Sequence, residues 1–135
     1  IVQHGDVIWS TVRPNRKSYS LILNPSPNMI VSTGFAVLRA KAVPFSYLYL
    51  ATTTEEFAGY LSNHATGSAY PAVSSSDFED AVLILPPKEL LQRFDEFAAS
   101  MFLMRETLLT KNANLRRTRD LLLPRLVSGE IAVHE

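Results

Sequence analysis

The stretch from Pro86 to Val127 sets the limits on what this chain can fold into. After Pro86-Pro87 it places Leu90, Phe94, Phe97, Met101, Met104, Leu108, Leu115 and Leu122 at steps of three and four, with Lys111 and Thr118 where the pattern lapses. That is the a/d spacing of a seam along which two helices wind together. No Gly or Pro intervenes between Lys88 and Leu123, so the spacing predicts one helix over that range. At 1.5 Å per residue it extends roughly 50 Å. Leu91, Ala98, Phe102, Leu103 and Leu109 widen its apolar surface in the first half, which is therefore expected to meet both the rest of the chain and a partner helix. The second half is more basic, with Arg105, Lys111, Arg116, Arg117 and Arg119 against Glu106 and Asp120, and cations there suit the negative end of the helix dipole. Asp120 to Val127 is expected to turn the helix or start a new one at Pro124, with a stop over Ser128-Gly129-Glu130-Ile131.

Residues 1–86 read differently. Val7–Val12, Tyr19–Leu23, Met29–Thr33 and Phe35–Arg39 are short β-branched or aromatic runs, and Asp80–Leu85 is a nearly all-apolar run expected to lie centrally in a sheet. Phe45–Leu50 is ambiguous between strand and helix. Thr54 caps a predicted amphipathic helix to Ala65, and Ser76-Asp77-Phe78-Glu79 matches a capping box. The fold class expected is α+β: a small mixed β-sheet head over 1–86, followed over 87–135 by a long C-terminal helix that forms a coiled coil. The chain opens on Ile1, directly on strand-like sequence, and the head is expected to be truncated at its N-terminus.

Two loops stand out. Arg13-Pro14-Asn15-Arg16-Lys17 places three cations on one short turn, with Pro14 expected to hold Arg13 extended. Thr66-Gly67-Ser68-Ala69-Tyr70-Pro71-Ala72 combines a permissive Gly with hydroxyls and one aromatic. Each is also what an ordinary surface connector looks like. Lys plus Arg and Asp plus Glu both total 13, so no bulk field announces a polyanionic partner; contact with nucleic acid has to come from such local clusters. Recognisable catalytic machinery is absent. There is no Cys, and His4, His64 and His134 have no metal-type spacing. Asp77, Glu79 and Asp80 are the acids a metal-dependent hydrolase would use, though a solvated cap explains them more simply. With no leader and no membrane-length apolar run, no membrane partner and a cytoplasmic location are expected.

Three stretches in order carry a family resemblance. Gly5-Asp6-Val7-Ile8-Trp9-Ser10-Thr11-Val12-Arg13-Pro14-Asn15 looks like the opening signature of specificity subunits of type I restriction-modification systems. Thr66–Val73 followed by Leu83-Ile84-Leu85-Pro86-Pro87 resembles the end of their target recognition domain, and Leu121–Ile131 is similar to the close of their conserved helical region. The P-P-x-x-E-Q motif that usually starts the helix is blurred, since Lys88-Glu89-Leu90-Leu91-Gln92 keeps only the Gln. The resemblance implies sequence-specific recognition of double-stranded DNA by the C-terminal recognition domain and its helix, and no catalysis. Methyltransferase (modification) and restriction subunits are the implied partners, and they would bind S-adenosylmethionine, ATP and Mg. The helix would pair through Leu90, Phe94, Phe97, Met101, Met104, Leu108 and Leu115, with a second recognition domain's helix or in a homodimer, and set the spacing of two DNA-reading heads. On the proposed loops, Arg16, Lys17 and Ser68 suit phosphates, and Arg13, Asn15 and Tyr70 suit base edges. The alternative is a structural coiled-coil assembly module without direct DNA contact.

Overall fold

Three short strands, four helices and one 3-10 turn make up the computed structural model, which describes residues 1–131; His134 lies outside the described residues. Strand β1 (Val7–Ser10) is central, with β2 (Tyr19–Leu21) and β3 (Phe35–Leu38) antiparallel on either side. Helices α1 (Phe45–Ala51), α2 (Glu55–His64), α3 (Ser75–Glu79) and α4 (Lys88–Val127) follow. The architecture is α+β. Ile1–Ser100 form one compact unit and Met101–Glu135 a second.

The first unit is built around the two side chains that β1 turns inward. Val7 and Trp9 are fully buried, and they cluster with Phe57, Ala58 and Leu61 of α2 and with Val73. Alternation along β1 sends every second side chain to one face; α2 offers Phe57, Ala58 and Leu61 at helical spacing to meet it. Trp9 is the only tryptophan. Its ring packs against Tyr19 and Phe57, with centroids 4.8 and 5.8 Å away, and its Nε1 donates to the Thr52 carbonyl at 2.9 Å. That bond ties the strand to the end of α1 and satisfies a donor that is costly to leave unmade in a core. Gly5 precedes the strand at φ +87, where an added Cβ would sit 3.0 Å from the Phe45 Cβ. The turn therefore excludes a side chain on two counts. Asp6, only 1% exposed, accepts from Arg39 Nε and Nη2 at 2.8 and 2.7 Å and from the Gln3 N–H at 2.7 Å. The Arg39 guanidinium holds its carboxyl below the usual carboxylate range against the opposing effect of burial.

Several expectations are corrected. Met29–Thr33 forms no strand; Met29 and Ile30 are exposed, and no neighbouring strand edge takes this run into the sheet. Asp80–Leu85 is likewise not a central strand: Val82 is 95% exposed and Ile84 85%, while Ala81 and Leu83 pack inward. β-Propensity measures fit to a pleated, half-buried surface, and it yields a strand only where a paired neighbour exists. Phe45–Ala51 resolves as helix. The capping box is Ser74 with Asp77, two residues earlier than Ser76 with Glu79. Asp77 Oδ2 accepts from the Ser74 N–H and hydroxyl at 2.6 and 2.7 Å, and the Ser74 hydroxyl leads in holding the Asp77 carboxyl low. Arg13 is left-handed at φ 53 and ψ 59 rather than extended. A following proline disfavours the right-handed helical region, and here the Arg13 N–H is held by the Pro71 carbonyl at 2.7 Å.

Helix α4 runs 40 residues and continues through Pro124. The bond Pro124 cannot make would have gone to the Asp120 carbonyl, on an exposed turn where solvent can satisfy it. Within the first unit Leu91 and Ala98 are buried, Asp95 Oδ1 accepts from the Ser46 hydroxyl at 2.6 Å, and Phe94 meets Tyr47 edge-on at 6.3 Å. In the second unit Met101, Met104, Leu108 and Leu115 are exposed, and Arg119–Asp120 and Arg125–Glu130 are ion-paired. Among the described residues no helix is long and apolar enough to cross a membrane.

Candidate nucleic-acid interface

Two loops far apart in sequence meet at the end of β1. Beyond Ser10 the strand direction carries Val12 into an antiparallel bridge with Ala72. Val73 N–H donates to the Thr11 carbonyl at 2.9 Å and Arg13 N–H to Pro71. Thr66 and Ala72 exchange both backbone bonds at 2.9 Å and close the 66–72 loop on itself. Within that loop Gly67 sits at φ +101, and a Cβ there would lie 3.2 Å from the Tyr70 carbonyl oxygen. Only glycine lets the loop fold this tightly.

Across the seam the side chains pair as well. The Arg13 guanidinium lies over the Tyr70 ring, 4.5 Å from its centroid, and Nη2 donates to the Ala69 carbonyl at 3.3 Å. A cation over an aromatic face is attracted by the ring quadrupole, and the planar guanidinium stacks while keeping N–H groups at its rim. Pro14–Arg16 then form a 3-10 turn capped at both ends by left-handed residues, Arg13 and Lys17, with Pro14 buried. Burying Pro14 pushes Asn15, Arg16 and Lys17 outward, and all three are exposed.

The structure thus brings Arg13 and Tyr70 into contact and places Asn15, Arg16 and Lys17 on the adjoining turn. Ser68 is exposed on the second loop. The cations are not equivalent. Lys17 is ion-paired to Glu55 in the first turn of α2, whereas Arg16 has no acidic partner among the described residues. Glu55 is the participant that sequence reasoning missed: the Thr54-Glu55-Glu56 run signals a helix start, and nothing in it shows that the start faces Lys17. The acids Asp77, Glu79 and Asp80 do not assemble with further ligands. Among the described residues no group of three or more His, Asp or Glu is placed to hold a metal ion.

A tethered pair of loops, exposed on one side and offering an unpaired guanidinium, a guanidinium–aromatic stack and hydroxyls, can bind a polyanion and read edges beside it. No family model matches the chain. The specificity subunit of the type I restriction enzyme MjaIX of Methanocaldococcus jannaschii is 35% identical over 72 residues, which is 51% of this chain and 16% of that protein. The relatives that this chain matches are type I restriction enzyme specificity subunits. A second, the HindI specificity subunit of Haemophilus influenzae, is 35% identical over 86 residues, 63% of this chain and 19% of that protein. The chain matches under a fifth of the length of each specificity subunit.

Proposed function

We propose that this chain is a DNA-recognition module of a type I restriction-modification specificity subunit, with residues 1–86 as the recognition domain and 87–135 as the helical spacer. Arg16 and Lys17, with Ser68, engage phosphates; Arg13, Asn15 and Tyr70 lie where they reach base edges. The Arg13–Tyr70 stack that joins the two loops is the observation that carries this reading. It makes one prearranged surface of two segments that are each ordinary alone, and preorganisation lowers the ordering cost of binding. The module is non-catalytic and directs partner modification and restriction subunits to a site on double-stranded DNA. Leu90, Phe94, Phe97, Met101, Met104, Leu108 and Leu115 pair α4 with a second helix. Phe94 has the weakest claim among them, since its ring already packs on Tyr47.

The test is duplex binding by the complete assembly as a function of salt, then discrimination between duplexes at fixed salt. Arg13→Ala combined with Arg16→Ala is expected to flatten the salt dependence and weaken discrimination. Unchanged affinity and slope would remove these loops from the interface. Exposure of Phe97, Met101, Met104 and Leu108 favours a second reading, an assembly helix whose head touches no DNA; that reading requires an assembled complex with the double variant indistinguishable from wild type.

A further inference from the structure

Arg13 is the most firmly held cation on the two loops. Its N–H donates to the Pro71 carbonyl at 2.7 Å, and its own carbonyl accepts from the Arg16 N–H at 2.9 Å. The side chain is held twice more, over the Tyr70 ring and by the Ala69 carbonyl, which accepts from Nη2 at 3.3 Å. Yet the residue is exposed, and among the described residues no carboxylate pairs with it. Its neighbours differ. Arg16 makes no side-chain hydrogen bond among the described residues, and Lys17 is committed to Glu55. A phosphate needs only a cation within reach, whereas a base edge needs donors held in one direction.

The contacts that hold Arg13 leave it a complete fork. A guanidinium presents all its N–H groups in one plane. Two of its edges carry parallel donors, Nη1 with Nη2 and Nε with Nη2, and Nη2 gives one hydrogen to each. The Ala69 carbonyl takes a single Nη2 hydrogen. Whichever one it takes, the other edge stays whole, and neither of its donors has a partner among the described residues. The Tyr70 ring lies against the face of the group and leaves that rim open. Parallel donors require adjacent acceptors. In the major groove only guanine offers them, as O6 and N7; adenine sets an amino donor beside its N7, thymine sets a methyl group beside O4, and cytosine presents a donor.

We infer that Arg13 reads a guanine in the major groove, with the open edge of its guanidinium on O6 and N7, and that Tyr70 and the Ala69 carbonyl aim it there. The inference rests on the DNA-recognition reading and narrows it: the recognised sequence contains a G·C pair whose guanine Arg13 contacts. Tyr70 is then a positioning residue for that base and acts on it through Arg13. A phosphate also accepts two parallel N–H bonds from arginine, and the experiment separates the two.

The experiment lets the complete assembly select a duplex from a randomised pool. Each guanine of the selected duplex is then replaced singly by 7-deazaguanine, which keeps O6 and puts C–H in place of the N7 acceptor. Anisotropy at fixed salt is expected to show a guanine whose replacement costs the wild type roughly tenfold in affinity. Arg13→Ala weakens binding by itself, and in that variant the same replacement is expected to cost less than about twofold, the non-additivity that marks a direct contact. Tyr70→Ala frees the guanidinium and is expected to shrink the cost at that same guanine; it decides the matter if Arg13→Ala loses native Trp9 fluorescence. Costs that simply add in Arg13→Ala, as a phosphate contact would give, overturn the inference, and so does a wild type sensitive at no guanine. Both results leave DNA recognition by the loops standing. An unchanged cost in Tyr70→Ala overturns the positioning role. If the assembly selects no duplex, the DNA-recognition reading itself falls, and this inference falls with it.

Discussion

Replacing Glu55 with Gln is expected to tighten DNA binding. Lys17 stands on the outer turn but is tethered to Glu55, and their side chains are 39% and 80% exposed. An ion pair so open to water is worth about 0–1 kcal/mol. A phosphate recruiting Lys17 must displace that carboxylate, so removing it raises affinity by at most about fivefold, taking 1.4 kcal/mol as tenfold. The sharper signature is the salt dependence. Each phosphate contact adds about 0.9 to the slope of log affinity against log salt, or roughly 3.5-fold between 50 and 200 mM. Glu55→Gln is expected to steepen the slope by up to about 0.9, and Arg16→Ala to flatten it by about the same. The assay is fluorescence anisotropy of a labelled duplex with the complete assembly. Glu56→Gln is the control: it removes the same charge from the same turn of α2, and the Lys17 ion pair is with Glu55, not Glu56. If Glu55→Gln and Glu56→Gln behave alike, net charge and not release of Lys17 is responsible. If Glu55→Gln and Arg16→Ala both leave the slope unchanged, the turn does not touch phosphate.

Further outcomes follow from the same geometry. Arg13→Lys keeps the charge but loses the planar stack on Tyr70, a contact worth about 0.5–1 kcal/mol where exposed; faster amide exchange at Thr66 and Ala72 is expected, and unchanged exchange would mean the backbone bridges alone hold the loops. Asp6→Asn tests linkage. The folded-state pKa of Asp6 is depressed, with the Arg39 bond as first cause, so the stabilisation it adds is present above about pH 4 and lost as pH falls through the folded value. Urea unfolding followed by Trp9 fluorescence is expected to show the variant's deficit at pH 7 shrinking towards pH 3, and a deficit independent of pH would contradict the assignment. Leu61→Ala, at a fully buried position, is expected to cost about 2–5 kcal/mol by the same assay. Met104→Glu with Leu108→Glu places charges on the exposed helix face, and sedimentation is expected to show loss of self-association or of partner-helix binding.

Much of the local structure was legible in residue order. The Pro86-Pro87 entry and the uninterrupted good helix formers after it specify α4, and Thr54 specifies the start of α2, its hydroxyl accepting from the Phe57 N–H at 3.1 Å. Both are decided by neighbours within a turn. Met29–Thr33 and Asp80–Leu85 have the propensity of strands and form none for the converse reason, since among the described residues no strand edge pairs with them. Arg13 was misread because the rule for a residue before proline states what is disfavoured, while the Pro71 carbonyl, 58 positions on, selected the left-handed alternative. The residues of 13–17 and 66–72 are visible in the sequence as two separate loops; that Arg13 meets Tyr70 and Pro71 across them is not.

For the long helix, spacing alone establishes more apolar surface than one face can hide, because that depends only on 3.6-residue periodicity. Which of those residues turn inward was settled by tertiary packing. Leu91 and Ala98 are buried, Phe94 is half-buried on Tyr47, and Phe97, Met101 and Met104 stay exposed. The same division runs through the loops. Charge and turn chemistry marked Arg16 and Lys17 as outward-facing, since desolvating an unpaired cation is too costly. That Arg16 has no acidic partner among the described residues while Lys17 is held by Glu55 is a matter of distance across the fold, which order along the chain does not encode.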